Sequence, residues 1–152
     1  MPVNDPVVRV AFQKLHENVE IPSRQTPGSA GYDIKAWLDE EVVLQPGQRR
    51  AIATGFRVEI PAGYVLSVRP RSGLAINHGV TMINSPGTID SDFRGEVKVL
   101  MVNLGAEPFT VRSGDRIAQV LLERCFEIDW RESGELEQTT RGEMGFGSTG
   151  RQ

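Results

Sequence analysis

The chain has 152 residues, a length that suits one domain with a proper core. Its 17 Lys and Arg against 20 Asp and Glu leave a formal net charge of -3. That balance argues against a protein that grips polymeric nucleic acid, which needs a strong basic excess. A single cysteine, Cys125, excludes an intrachain disulfide, and its place after an apolar run predicts a small core residue. The opening MPVNDPVVRV lacks the charged and apolar regions of a signal peptide, and no apolar stretch approaches the length of a membrane span. The expectation is a soluble protein of a reducing compartment, the cytoplasm.

In chain order, turn signals recur at Pro27-Gly28, Pro46-Gly47, Pro61-Ala62-Gly63, Pro86-Gly87 and Ser113-Gly114-Asp115. Between them lie β-rich runs: VVRVAF (7–12), AIATGFRVEI (51–60), YVLSVRP (64–70), VTMIN (80–84), EVKVLMVN (96–103) and RIAQVLLERCFEI (116–128). In EVKVLMVN, Val97, Val99 and Met101 alternate with Glu96 and Lys98, the period of a strand with one face buried. One short helix is expected over 72–76, with Ser72 as its N-cap. Many short strands between Pro/Gly turns predict an all-β sandwich or barrel. From Arg141 the β pattern gives way to a Gly-rich run, which reads as a flexible arm. The expected division is therefore a β body over 1–140 and an arm over 141–152.

Four stretches carry candidate chemistry. RPRSG (69–73) sets Arg71 and Ser72 at the mouth of the short helix, where free N–H groups, a guanidinium and a hydroxyl suit an anion. SGDRIAQ (113–119) is a turn entering a strand, in which Asp115 and Arg116 can pair with each other or with neighbours and Gln119 can touch a ligand. RGEMGFGSTG (141–150) resembles a phosphate cradle: Gly145 and Gly147 permit close backbone approach and Ser148 and Thr149 supply hydroxyls. It is not a P-loop, because no Gly-Lys pair follows. Phe146 in its middle offers a stacking face for a planar base.

The fourth stretch, GTIDSDFRGE (87–96), holds Asp90 and Asp92. From the residues alone three readings stay open: a metal site, a catalytic base with a bystander, or an acidic turn. A cage of protein ligands is disfavoured, since the only histidines, His16 and His78, are far apart in sequence and no calcium-loop spacing is present. In a strand or tight hairpin the two aspartates would share one face, with Ser91 and Phe93 on the other.

Five segments together resemble the homotrimeric all-β dUTP diphosphatase (dUTPase) family: AGYDI (30–34), PRSGLA (70–75), NSPGTIDSDFRGE (84–96), GDRIAQ (114–119) and RGEMGFGSTG (141–150). Each is weak alone, whereas five in order at family-like spacing are specific. The resemblance implies a jelly-roll-like distorted β-barrel with one short helix and an arm that closes over the site. The implied reaction turns dUTP and water into dUMP and pyrophosphate, with Mg2+ held by the triphosphate and water rather than directly by the protein. Asp90 is then the general base for water attacking the α-phosphorus, and Asp92 a structural residue. Asn84, with Thr88, Ile89 and backbone nearby, imitates a pairing partner for uracil, and Met101 belongs to the same binding set. Phe93 packs on the deoxyribose and excludes a 2′-hydroxyl. Arg71, Ser72, Gly73 and Gln119 bind phosphates. Arg141, Phe146, Gly147, Ser148 and Thr149 form the closing arm, and Asp33 supports the site through Mg2+-bound water or by holding an arginine. The implied partners are dUTP and two further copies of the chain, with sites shared between subunits and no membrane involved.

Two positions depart from the family pattern: Phe93 stands where Tyr is usual, and Met144 where Gly is usual. The nearest alternative is a dCTP deaminase of the same fold. That family carries a catalytic Glu three residues before an Asn; with Asn103 as that Asn, the matching position is Leu100, which cannot shuttle a proton. A non-catalytic nucleotide-binding barrel is the other alternative, and the intact Asp90 argues against it.

Overall fold

Residues 7–147 are described by a computed structural model of the chain. The elements run β1 (Ala11–Lys14), β2 (Tyr32–Lys35), β3 (Val42–Leu44), β4 (Arg49–Ala53), β5 (Phe56–Glu59) and β6 (Tyr64–Arg69). The helix α1 (Ser72–His78) leads into β7 (Val80–Met82), β8 (Gly87–Ile89), β9 (Lys98–Asn103), β10 (Phe109–Val111) and β11 (Arg116–Arg124). The strands form an antiparallel, jelly-roll-like body: all-β as the turn-punctuated sequence predicts, and jelly-roll-like as the family resemblance implies. A four-stranded sheet has the order β2-β11-β6-β8 and a three-stranded sheet the order β4-β9-β7, with pairs β1-β5 and β10-β3 beside them.

Successive strands β6, β7, β8 and β9 alternate between the two larger sheets. The links between them therefore cross over the core rather than turn within a sheet. Inward residues from both sheets, among them Ile34, Val68, Val80, Val97 and Val99, fill one cluster. In β9 the period-two pattern holds as expected: Val99 and Met101 are buried and Lys98 and Leu100 exposed. At its end Val102 and Asn103 are both buried, because Asn103 is a polar tie rather than a surface residue. Its Nδ2 donates to the carbonyls of Leu44 (2.8 Å) and Glu107 (2.8 Å), and its Oδ1 accepts from Gly105 N–H (2.9 Å). One amide thus satisfies three backbone groups that would otherwise be unpaired at the sheet end.

The run AIATGFRVEI is two strands. Gly55 breaks it with φ 74°, and a Cβ there would come within 2.6 Å of Val19, so only glycine turns the chain under that side chain. The helix begins as expected, but its N-cap is Arg71, not Ser72. The first helical bond runs from Ala75 N–H to Arg71 O (3.1 Å), and Arg71 itself is extended at φ -100°, ψ 128°, so Ser72 is already helical. Gly79 ends the helix in the left-handed region, its N–H bonded to the Ala75 and Leu74 carbonyls.

Cys125 is exposed, not a core residue, because β11 ends at Arg124 and the chain leaves the sheet there. Its N–H makes a last contact to Gly63 O (2.8 Å). Beyond it no described residue joins a strand or helix, and Phe126, Ile128, Trp130 and Leu136 are all exposed. Within one chain the packed body thus stops near 125, earlier than the expected 140. Among the described residues no helix is long and apolar enough to cross a membrane.

Candidate active site

One half of the site is built where β6 hands over to α1. Gln119 of β11 lies beside both Arg69 of β6 and Asp33 of β2 in the sheet register. Its Nε2 donates to Pro70 O (3.1 Å), which pins the end of β6. Arg71 turns back across the sheet: its Nη1 donates to Arg116 O (3.0 Å) and its Nε stands 3.7 Å from Asp33 Oδ1. Arg116 reaches the same carboxylate, Nη1 to Oδ2 at 3.3 Å. The Asp33 side chain is only 12% exposed, so this carboxylate is committed to the two guanidiniums. Two positive charges against one negative leave a net positive cluster with spare N–H groups, suited to phosphate. Asp115 does not pair with Arg116; its Oδ2 accepts from Arg112 N–H (2.8 Å) and closes the 112–115 turn. A cavity of about 670 Å3 opens beside this cluster, lined among others by Lys35, Arg71, His78 and Arg116.

The other half follows β7. Residues 83–86 carry the chain from the β4-β9-β7 sheet to β8, which pairs with β6 alone among the described residues. The segment 84–96 is therefore a crossover and the short strand β8 followed by a turn, and β8 and β9 do not pair with each other. Asn84 is exposed on the crossover, and Gly87 is buried while Thr88 is exposed and Ile89 half-buried. Asp90 to Phe93 form a turn closed by Phe93 N–H to Asp90 O (3.2 Å). The alternating-face argument for Asp90 and Asp92 accordingly lapses, since β8 ends at Ile89. Both aspartates are exposed, and neither takes part in an ion pair among the described residues. Arg94 braces the turn from outside, donating to the carbonyls of Ser91 (2.7 Å) and Phe93 (3.0 Å). The Phe93 ring lies on Gly95, where a Cβ would come within 2.6 Å of ring carbon Cζ.

Met101 is a correction to the expected binding set. It is 1% exposed, because the β9 alternation that exposes Leu100 turns Met101 into the core. The arm residues Arg141 and Phe146 are exposed, with Arg141 Nε donating to Met144 O (2.9 Å) in a local turn. Gly147 has φ 79°, and Ser148 and Thr149 lie outside the described residues. Ser72 and Gly73 are exposed at the first turn of α1.

The two halves do not meet within one chain. Leu66 pairs with Ile89, so Asp90 follows on beside Val65, six residues short of Arg71 along β6. At about 3.3 Å per residue that is roughly 20 Å. The directions also diverge: Arg71 reaches over β11 and β2, while β8 lies on the opposite flank of β6. Neither Asp90 nor Asn84 lines the cavity beside Arg71. Of the two pairings the sequence leaves open to Arg116, with Asp115 or with a neighbour, the structure shows the second, through Asp33.

A family model described as dUTPase matches residues 17–150, a span that contains all five motifs. The chain belongs to the dUTPase family. A Fusobacterium nucleatum subsp. nucleatum protein named deoxyuridine 5'-triphosphate nucleotidohydrolase is 50% identical over 135 residues, 89% of this chain and 92% of its own length. A Rhizobium meliloti protein of the same name is 52% identical over 136 residues, covering 88% and 85%. Among solved structures, the dUTPase of Staphylococcus bacteriophage 80alpha with dUPNHPP superposes with a TM-score of 0.85 at 26% identity, over 95% of this chain and 100% of that one. A phage phi11 dUTPase variant, described for its coordination of a structural Mg(II) ion, shares the fold with a TM-score of 0.75 at 24% identity, over 86% and 100%. Within one chain, then, the cluster of Arg71, Gln119, Asp33 and Arg116 and the turn that carries Asp90 lie on different flanks of β6.

Proposed function

We propose that this chain hydrolyses dUTP to dUMP and pyrophosphate, supplying dUMP to nucleotide metabolism. Family membership across all five motifs is the observation that carries the reading. In the proposed reaction Asp90 takes a proton from water, the water oxygen bonds to the α-phosphorus, and the bond to the bridging oxygen of the β-phosphate breaks. An exposed carboxylate outside any ion pair among the described residues can accept that proton, and position and charge stabilisation supply the rest. Arg71, Ser72, Gly73 and Gln119 hold the phosphates, with Asp33 and Arg116 fixing the Arg71 fork. Asn84, Thr88, Ile89 and Phe93 select the deoxyuridine, and Arg141, Phe146 and Gly147, with Ser148 and Thr149, close over it.

Mg2+ fits this arrangement as a companion of the substrate. No group of three or more His, Cys, Asp or Glu among the described residues could hold a metal, and Asp33 is engaged by two arginines. Oxygen donors from a triphosphate and water suit Mg2+, which would neutralise charge on the departing pyrophosphate. Asp33 is the carboxylate nearest the phosphate half to meet a metal-bound water.

The oligomer proposed is a cyclic trimer with shared sites: one chain gives Arg71, Ser72 and Gln119, a second Asn84 and Asp90, and a third the arm. The separation of Asp90 from Arg71 within one chain supports this. So does the exposed apolar series Phe126, Ile128 and Trp130, which a neighbouring chain would cover. The setting proposed is the cytoplasm. The test is pyrophosphate release from dUTP in single turnover. Asp90→Asn should bind dUTP nearly normally and hydrolyse it roughly 100- to 10,000-fold more slowly. A rate close to wild type would sink the assignment of the base.

A further inference from the structure

Gly31, in the first motif, touches the phosphate half without any chemistry of its own. A Cβ built on it would lie 2.1 Å from Gln119 Oε1, 2.9 Å from Cδ and 3.2 Å from Cβ. Its three nearest neighbours are thus all atoms of one side chain. The Gln119 amide folds onto the bare α-carbon, and that pose lets its Nε2 reach Pro70 O at 3.1 Å. The amide carries two N–H donors, so the bond to Pro70, the residue before Arg71, leaves a second donor available to a ligand. Gly31 is not among the glycines with positive φ, so its backbone does not itself require glycine.

We propose that Gly31 is a positioning residue, kept without a side chain so that Gln119 can lie against it and aim its amide at the triphosphate. Any Cβ at 31 makes the amide swing away, which costs the Pro70 bond and misplaces the free donor. The end of β6, where Pro70 leads into Arg71, loses the same brace. The inference rests on the reading of Gln119 as a phosphate ligand, and the two are separable by experiment.

The test is a double-mutant cycle of Gly31→Ala, Gln119→Ala and the pair, read as KM and kcat for dUTP and as melting midpoint. Loss of a hydrogen bond from an amide to a charged phosphate is a factor of roughly 10 to 150. Gln119→Ala should raise KM by about that factor. Gly31→Ala should raise it at least as much, with kcat less affected, and should add nothing on the Gln119→Ala background. Its melting midpoint should return when residue 119 is shortened. If Gly31→Ala alone does not fold, recovery of folding by the pair still supports the proposal, and a pair that stays unfolded overturns it. A loss that adds in full to that of Gln119→Ala also overturns it. Should Gln119→Ala leave KM unchanged, the phosphate role of Gln119 fails. The position of the Gln119 side-chain amide resonances in Gly31→Ala then decides the rest: a shift upholds the positioning role and unmoved resonances refute it.

Discussion

Two inactive variants, mixed in one oligomer, should restore hydrolysis to about one quarter of wild type. One is Asp90→Asn, which lacks the base; the other is a chain ending at Thr140, which lacks Arg141 and Phe146. The expectation follows from the proposed shared site and from Asp90 lying roughly 20 Å of strand from Arg71 and on the other flank of β6. In a cyclic trimer with shared sites, a working site takes Asp90 from a truncated chain and its arm from an Asp90→Asn chain. Random equal mixing meets each condition in about half of cases, and both in about one quarter. The chains would be co-expressed, native mass spectrometry would establish that both occur in each oligomer, and pyrophosphate release would be followed with each parent as control. The truncation removes residues past the end of β11, none of whose described members is buried or joins a strand or helix, so its melting midpoint should match that of the full chain. Mixed oligomers that remain as inactive as their parents would refute the shared site, since base and arm would then come from one chain.

Arg71→Ala should weaken binding of a non-hydrolysable dUTP analogue by about 1.5–3 kcal/mol and dUMP by less; equal losses by titration would mean that Arg71 does not meet the β- or γ-phosphate. Phe146→Ala should lower affinity by roughly 1–3 kcal/mol through loss of a stack on the base. Its melting midpoint should hold, because Phe146 touches no core, and early unfolding would place it there instead. Asn103→Ala removes three hydrogen bonds to buried or half-buried backbone and should destabilise by about 3 kcal/mol, read by denaturant unfolding, while KM for dUTP stays near wild type.

The motifs of the candidate site were legible in the chain because they are local. A turn, a glycine or an arginine after a proline declares itself within a few residues, and the five segments did so in order. What stayed hidden depended on contacts between segments distant in sequence. Asp33 and Arg116 are 83 residues apart and meet through the β2-β11 pairing. Gln119 and Gly31 meet through the same pairing. Met101 was misplaced because the motif says that β9 passes near the site but only the strand's register says which way each side chain points. Whether 84–96 closes as a strand or a tight hairpin was likewise not decided locally: β8 and β9, neighbours in sequence, pair in different sheets.

Composition and turn spacing by themselves determined an all-β body, since short β-rich runs broken by Pro and Gly leave no room for long helices. The five motifs determined the family. The tertiary structure alone decided that Arg71 is held by Asp33 and Arg116, that Cys125 lies outside the core, and that Asp90 and Arg71 of one chain face apart. Backbone propensity acts over a few residues and is written locally. Strand pairing brings together residues that the chain separates by dozens of positions, and its register turns each side chain to one face or the other.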